Sequence, residues 1–240
     1  MSHKTIQHYQ QTPTVESYNE QRFSTKGGRL VDAKEKLIVR KLVGTTVKDW
    51  ILDMGTGTGR VATWFKNRKK VGVDSSIPML KKAKKLGLHV ICCDIKQLPI
   101  KDATFSKVVA IRVFIRIDDL SGFLKEVSRV SQEGGCFVFD VSNKYSIGVI
   151  ANRFSHEPPH TFFSKKEIEK TLHQVFSGSA KVEPSFMIPR GIYQKINRSI
   201  ILWVWQINNL LLKTRLRQFA CTHFWKVQNR HQKERRNNIL

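Results

Sequence analysis

Short apolar runs alternate with amphipathic stretches along the first 142 residues of the chain. Between the runs, apolar side chains recur at helical spacing, as at Leu120, Phe123, Leu124, Val127 and Val130. Continuous apolar strands separated by helices are typical of an α/β fold whose parallel sheet is buried on both faces. The runs predict strands at 50–52, 71–73, 107–111 and 136–141, and a further strand that ends at 92–95.

The second half of the chain predicts two more strands, at 182–188 and at 219–227, the last of them antiparallel at the sheet edge. A helix is predicted from about residue 30 to 43, and Asp118 is predicted to cap the helix that starts near Leu120. Ser164 followed three residues later by Glu167 predicts a capped helix start.

The octet DMGTGTGR, residues 53–60, directly follows the first apolar run, and the second run ends on Asp74. Glycines at alternate positions let a backbone turn sharply and approach a ligand closely. An acid at the tip of the second strand can accept both hydrogen bonds of a ribose diol. Strand, glycine turn, helix, strand and acid together predict a nucleotide-binding unit. The third small residue of a dinucleotide fingerprint is replaced by Arg60, which argues against a dinucleotide.

The octet and Asp74 resemble motifs I and II of the class I S-adenosylmethionine-dependent methyltransferases. The segments SSIPML (75–80), CCDI (92–95), LPIKDATFS (98–106) and EVSRVSQEGG (126–135) resemble later parts of the same family. The resemblance implies a Rossmann-like fold: a mostly parallel seven-stranded sheet with helices on both faces and an antiparallel edge strand. It also implies S-adenosyl-L-methionine as cofactor.

The resemblance implies roles for particular residues. Asp53, Gly55 and Gly57 are expected at the methionine end of the cofactor, Asp74 at the ribose and Asp94 at the adenine. The complete expected cofactor set is Asp53, Met54, Gly55, Thr56, Gly57, Asp74, Ser75, Met79, Asp94, Ile95 and Arg112. The candidates on the substrate side are Tyr18, Arg22, Phe114, His156, His160 and Trp203. No residue is identified as a general base, and no metal ligand is predicted.

The chain is predicted to form a single methyltransferase domain, 1–240, around a cofactor-binding core at 29–141. An N-terminal segment, 1–28, either covers the cofactor and acceptor or is frayed. An apolar insertion at 189–218 has three interpretations: a helix that extends the core, a lid whose tryptophans contact the acceptor, or a helix in the plane of a membrane. Polar residues interrupt the insertion, so no transmembrane span is predicted. A basic tail occupies 228–240.

The 240 residues carry a formal net charge of +23, which favours polyanionic partners: RNA, DNA or an anionic membrane surface. The four cysteines have neither disulfide nor metal spacing, so a reducing, cytoplasmic location is expected, with peripheral membrane contact as an option. No D/N-P-P-Y/F motif follows the fourth strand, which favours a small or lipid-like acceptor. An RNA-modifying methyltransferase and a non-catalytic cofactor-binding protein are the two alternatives.

Overall fold

The structure is a computed structural model that describes residues 12–66, 69–154, 160–197 and 199–230. These residues contain a seven-stranded sheet in the order β3-β2-β1-β4-β5-β7-β6. Neighbours from β3 to β5 are parallel, while β7 is antiparallel to both β5 and β6. The strands are β1 (Ile51–Met54), β2 (Lys70–Asp74), β3 (His89–Cys92), β4 (Phe105–Ala110), β5 (Ser131–Ser142), β6 (Ala180–Ser185) and β7 (Thr222–Gln228). The predicted α/β fold with a mostly parallel seven-stranded sheet is confirmed.

The antiparallel strand lies one place inside the edge of the sheet, because β6 pairs with its outer side. Pro184 lies in β6 and lacks a backbone N–H, which suits an edge strand. Both strands also differ from their predicted bounds. β6 ends at Ser185, since the next residue, Phe186, has a φ of 57°. β7 begins only at Thr222, because Arg215–Phe219 form a 3₁₀ helix.

Helices cover both faces of the sheet, as predicted. On one face, α4 and α6 bury Phe123, Leu124 and Ile168. On the other, α2 packs together with α7 and α8 around Tyr193 and Ile201. The helices are α1 (Thr12–Phe23), α2 (Lys26–Val43), α3 (Ile77–Lys85), α4 (Leu120–Val130), α5 (Gly148–Arg153), α6 (Lys165–Val175), α7 (Arg190–Lys195) and α8 (Ile201–Leu211).

Local capping corrects one prediction and confirms another. The N-cap of α4 is Asp119, whose carboxylate accepts from Gly122 N at 2.9 Å, and not Asp118. Asp118 lies one residue too early and instead accepts from the backbone N–H of Asp119. Ser164 and Glu167 form the predicted capping box at the start of α6.

The sequence pattern predicts a helix directly after the glycine turn. The structure has only a 3₁₀ helix there, at Ala62–Trp64. Only residues 55–69 join β1 to β2, and the turn itself uses the first five of them. A crossover between parallel strands needs about a dozen residues or more, so little length remains for a helix. The short connection keeps the glycine turn close to the tip of β2.

Candidate cofactor cleft

A cleft opens at the carboxyl ends of β1, β2 and β4, the edge where open parallel sheets bind ligands. Its empty volume is about 780 Å³, a figure that includes the space open to solvent at its mouth. The described lining residues come from the glycine turn, the tip of β2, α1, α3 and the segment after β4. They are Tyr18, Gly55, Thr56, Gly57, Thr58, Arg60, Val61, Asp74, Ser75, Met79, Ile111, Arg112, Val113 and Arg116.

The glycine turn forms one wall of this cleft. Thr56 N donates to Val73 O at 2.9 Å, which fastens the turn to β2. Gly57 has a φ of 53°, in the left-handed region that favours glycine, and a Cβ added there would meet no protein atom within 4 Å. The missing side chain therefore leaves open space at a residue that lines the cleft.

Asp74 lies at the tip of β2. Among the described lining residues, no other residue is an Asp or a Glu. One carboxylate oxygen accepts from Gly57 N and the other from Ser76 N, both at 2.9 Å. Burial raises the pKa of Asp74, although these backbone hydrogen bonds oppose the rise. The two bonds fix the carboxylate in the lining of the cleft and leave it with lone pairs to which hydroxyl groups of a ligand can donate.

Asp53 and Met54, which were expected at the cofactor, lie beneath the turn and not among the lining residues. Both are buried, because β1 is covered on both faces. One carboxylate oxygen of Asp53 accepts from Thr56 Oγ1 at 2.7 Å and from Ala62 N at 3.1 Å. Burial raises the pKa of Asp53 to about 7, against the opposing effect of these hydrogen bonds. The geometry gives Asp53 the task of shaping the turn.

Helix α1 covers the cleft from the N-terminal side. Thr58 Oγ1 donates to Asn19 Oδ1 at 3.0 Å, and Lys82 Nζ donates to Val15 O at 2.8 Å. Tyr18 lines the cleft, and the Arg22 guanidinium lies 4.7 Å from the centre of its ring. The described part of the N-terminal segment is thus helical and packed over the glycine turn.

Behind the cleft, three arginines converge on Glu35, whose side chain is fully buried. Arg112 approaches one Glu35 oxygen with Nε at 3.1 Å and Nη2 at 2.8 Å, while Arg60 approaches the other at 3.0 Å. Arg190 lies 2.6 Å from Glu35 and 2.7 Å from Asp140. Burial opposes ionisation of Glu35, but the three guanidinium groups outweigh it and lower the pKa to about 2.

This ion network joins elements that are distant in sequence. Glu35 lies on α2, Arg60 follows the glycine turn, Arg112 follows β4, Asp140 is in β5 and Arg190 begins α7. Arg112 has a φ of 64°, an unusual conformation for a residue with a side chain, and its N–H donates to Asp140. Two of the cleft's arginines are therefore held in place by carboxylates that do not line the cleft.

Residues 52–139 match the family of methyltransferase domains. This segment, which is less than half of the chain, is similar to a methyltransferase domain. The family uses S-adenosylmethionine as methyl donor. The match covers β1 to most of β5, and thus the glycine turn, Asp74 and Arg112.

Individual relatives agree with the family match. A malonyl-[acyl-carrier protein] O-methyltransferase of Hamiltonella defensa is 32% identical over 138 residues, covering 54% of each protein. A ubiquinone/menaquinone biosynthesis C-methyltransferase of Desulfotalea psychrophila is 36% identical over 101 residues, covering 38% of this chain and 41% of the relative. The matched regions span roughly half of the curated relatives' length.

A solved structure matches over a longer stretch. An S-adenosylmethionine-dependent methyltransferase of Thermotoga maritima superposes with a TM-score of 0.67 at 18% identity. The match covers 94% of this chain and 100% of that one, so the resemblance in fold extends beyond the methyltransferase domain into the C-terminal helices.

The residues of the cleft fit the cofactor that the family uses. S-adenosylmethionine has no phosphate, and the turn offers open space at Gly57. Asp74 supplies an acceptor for a ribose diol, and the cleft's guanidinium groups can face the methionine carboxylate. Asp74 also receives a backbone bond from Gly57, so the two features form one unit.

Other predicted residues lie outside the described lining of the cleft. Asp94 is exposed just after β3 and accepts from Lys96 N at 2.9 Å, whereas the neighbouring Ile95 is buried in the core. Neither lines the cleft, so their expected place at the adenine stays a prediction. Phe114 is not at the substrate side. It is fully buried and stacks on Phe139, with ring centres 4.4 Å apart, because apolar residues of β5 and α4 surround it.

Two other substrate-side candidates, His160 and Trp203, are also separate from the described lining. His160 is partly buried beside Thr161, whose N–H donates to Ile115 O at 3.0 Å, one residue from Arg116. His156 lies outside the described residues. Trp203 is 69% exposed on the outer side of α8, because Ile201 and Trp205 face the core instead.

Sequence reasoning missed several residues that form the site. In the sequence, Arg60 only marks a departure from the dinucleotide pattern. No sequence pattern distinguishes Thr58 or Arg116, which also line the cleft. The sequence does contain an indication for Glu35, because this acid lies at helical spacing with the apolar residues Val31, Ile38 and Leu42, which are buried. An acid on the apolar stripe of a helix indicates a buried charge that needs cationic partners.

Proposed function

We propose that this protein transfers a methyl group from S-adenosylmethionine to a small or lipid-like acceptor. The observation that carries the proposal is the unit formed by the open Gly57 position and the Asp74 carboxylate, both of which line the cleft. The cofactor supplies a methyl group on a sulfonium, which already carries a good leaving group. The protein's task is then to hold the reactants in line and to exclude water.

The cleft residues support this division of work. Asp74 would accept hydrogen bonds from the ribose hydroxyls. The glycine turn would leave room for the part of the cofactor that lies against the protein backbone. Arg60 and Arg112 would attract the methionine carboxylate while Glu35 holds both guanidinium groups. Tyr18 and the rest of α1 would limit access of water from the N-terminal side.

The chemistry of the lining also bears on the acceptor. The described lining residues include no histidine that could act as a general base. Asp74, the carboxylate in this lining, is assigned to the ribose. A strong general base is needed only when the acceptor must lose a proton as it attacks. The lining therefore favours an acceptor whose attacking atom is nucleophilic near neutral pH, such as a carboxylate, an amine or a stabilised carbanion. The two relatives are named for O-methylation of a malonyl-[acyl-carrier protein] and for C-methylation in ubiquinone/menaquinone biosynthesis.

Calorimetric titration with S-adenosylmethionine tests the cofactor assignment. Asp74→Ala is expected to weaken binding at least about tenfold, because hydrogen bonds to a charged group contribute roughly 1.5–3 kcal/mol. Glu133→Ala is the comparison variant, since it removes an exposed acid near the start of β5, at the opposite end of the strands from the cleft. Circular dichroism of both variants checks the fold. Unchanged affinity in Asp74→Ala would remove this residue from the site.

Transfer of a labelled methyl group identifies the acceptor. The protein is incubated with S-adenosylmethionine carrying an isotopic methyl group and with cell extract divided into lipid, small-molecule and RNA fractions. Mass spectrometry is expected to find the label in the lipid or the small-molecule fraction. Label confined to RNA would replace this proposal with an RNA-modifying activity. Binding of the cofactor without transfer to any fraction would favour a non-catalytic role.

A further inference from the structure

Helix α8 is apolar on two opposite sides. Its inner side packs on the core through Ile201, Val204 and Trp205, and the buried Asn208 lies on the same side. Asn208 Oδ1 accepts from Tyr193 Oη at 2.9 Å and from Met187 N at 2.8 Å. These contacts fix the rotation of the helix about its own axis, so its other side necessarily faces away from the domain.

The side that faces away carries large apolar residues at helical spacing. Trp203, Ile207 and Leu210 are 69%, 52% and 64% exposed, respectively. Beyond the helix, Leu216 and Phe219 of the 3₁₀ segment are 47% and 46% exposed. We call these five residues the outer face. A helix that is apolar all round is normally buried, so exposure on this scale indicates an interaction surface.

The outer face belongs to the same edge of the sheet as the cleft. β6 ends and β7 begins at this edge, because Ser185 pairs with Thr222 and Thr222 pairs with Ser142 at the end of β5. Asn143 Nδ2 donates to Gln218 O at 3.0 Å and to Ala220 O at 2.9 Å, which joins the 3₁₀ segment to the chain after β5. That chain continues into α5, where Ile150 is 60% exposed and Phe154, just after it, 83%.

Charge distinguishes this region from an ordinary apolar patch. No Asp or Glu occurs from Pro184 to Arg230. Lys213, Arg215 and Arg217 are all exposed next to the outer face. Large apolar side chains with flanking cations are the composition of segments that lie in the interface of an anionic bilayer. Single-stranded RNA sites use basic grooves with stacking aromatic rings, whereas aliphatic side chains make up most of this face.

We infer that the outer face docks the protein on an anionic membrane surface, with the edge that carries the cleft turned toward the lipid. Among the described residues, no helix has the length and apolar character to cross a bilayer. The contact that we infer is with the membrane surface. A protein docked in this way would meet a lipid-soluble acceptor at the surface where that acceptor is dissolved. Docking itself does not depend on the proposed methyl transfer.

Sedimentation with vesicles tests the inference. The full chain is mixed with sucrose-loaded vesicles of phosphatidylcholine alone or with phosphatidylglycerol. Binding is expected with the anionic vesicles and is expected to fall at least about tenfold in the double variant Trp203→Ser, Leu210→Ser. Replacing Lys213, Arg215 and Arg217 with glutamine is expected to reduce it about tenfold or more.

The matched control is the double variant Val47→Ser, Leu86→Ser. These residues are 89% and 58% exposed, and they precede β1 and β3 at the opposite edge of the sheet. The control is expected to bind vesicles like the unchanged chain. Quenching by brominated phosphatidylglycerol adds a measure of depth. Tryptophan emission is expected to be quenched in the unchanged chain and much less in Trp203→Phe, which keeps an apolar ring at that position.

Three results would overturn the inference. The first is an equal soluble fraction with and without anionic vesicles. The second is a self-associated protein that becomes monomeric in the Trp203→Ser, Leu210→Ser variant without vesicle binding, since the face would then join two copies of this chain. The third is tight binding to RNA, unaffected by this double variant, with no binding to vesicles. Calorimetry of the same variant with S-adenosylmethionine is expected to give unchanged affinity, so loss of docking is distinguishable from loss of the cofactor site.

Discussion

The wall behind the cleft and the outer face are opposite in character: the first buries charged side chains, and the second exposes apolar ones. Behind the cleft, the buried carboxylates of Glu35 and Asp140 are held by three arginines that are themselves mostly buried. On α8, apolar groups are exposed and flanked by cations. Each arrangement costs stability unless something compensates for it. The compensation lies within the fold at the ion network, whereas at the outer face it must come from a surface outside the chain.

The largest expected effect follows from breaking the ion network. Glu35→Gln removes the charge that three buried guanidinium groups share, and loss of one partner of a buried ion pair costs about 3–5 kcal/mol. Urea denaturation is expected to show a loss of unfolding free energy in this range. Glu169→Gln is the control, because it removes a partly exposed partner of the exposed Lys165 and is expected to cost less than about 1 kcal/mol. Similar losses in both variants would mean that the buried network contributes no more than a surface pair.

The network also shows how much the sequence could predict. The turn and Asp74 could be assigned from the octet and the acid, because their spacing is a local property of the chain. The convergence of Glu35, Arg60 and Arg112 on one point could not, since it depends on how α2 crosses the sheet. The short 3₁₀ helix after the turn and the inner position of β7 likewise follow from connection length and strand pairing. Periodicity alone does not contain that information.

A second prediction concerns a buried histidine on the opposite face of the sheet from α2. His223 lies in β7, and burial, with a smaller contribution from Lys165, lowers its pKa from 6.5 to about 4. Above pH 6.5 the side chain is neutral in both the folded and unfolded states. As the pH falls from 6.5 to 4, only the unfolded state gains the proton, so stability is lost across this window. The difference corresponds to about 3 kcal/mol.

The experiment compares slopes of unfolding free energy against pH. His223→Gln is expected to lose less stability between pH 7 and pH 4 than the unchanged chain. His89→Gln, at an exposed histidine at the start of β3, is expected to leave the slope unchanged. If His223→Gln keeps the full slope, the acid sensitivity has another origin, and the histidine is not held neutral in the fold.

A third prediction separates backbone strain from cofactor contact. Gly57 and Gly44 have φ angles of 53° and 55°, and an added Cβ meets no protein atom within 4 Å at either residue. An alanine in this conformation costs roughly 1–2 kcal/mol. Both Gly→Ala variants are therefore expected to lose similar stability. Only Gly57→Ala fills space on the cleft side, so only it is expected to weaken S-adenosylmethionine binding, by about tenfold or more, as measured by calorimetry. Equal cofactor affinities in the two variants would contradict a ligand at Gly57.

The smallest expected effect concerns the exposed side of α8, and the buried side of the same helix provides the comparison. Ile201 is fully buried beside Gly27 at the start of α2, so Ile201→Ala is expected to cost about 2–5 kcal/mol. Trp203→Ser with Leu210→Ser is expected to change the unfolding free energy by less than about 1 kcal/mol, because exposed substitutions each stay within roughly 0.5 kcal/mol. Urea denaturation measures both. A large loss in the outer pair would mean that these side chains stabilise the fold, and docking would then lose its physical basis. A small loss would leave two large apolar groups with no role in stability, which is the condition expected of a surface kept for an external partner.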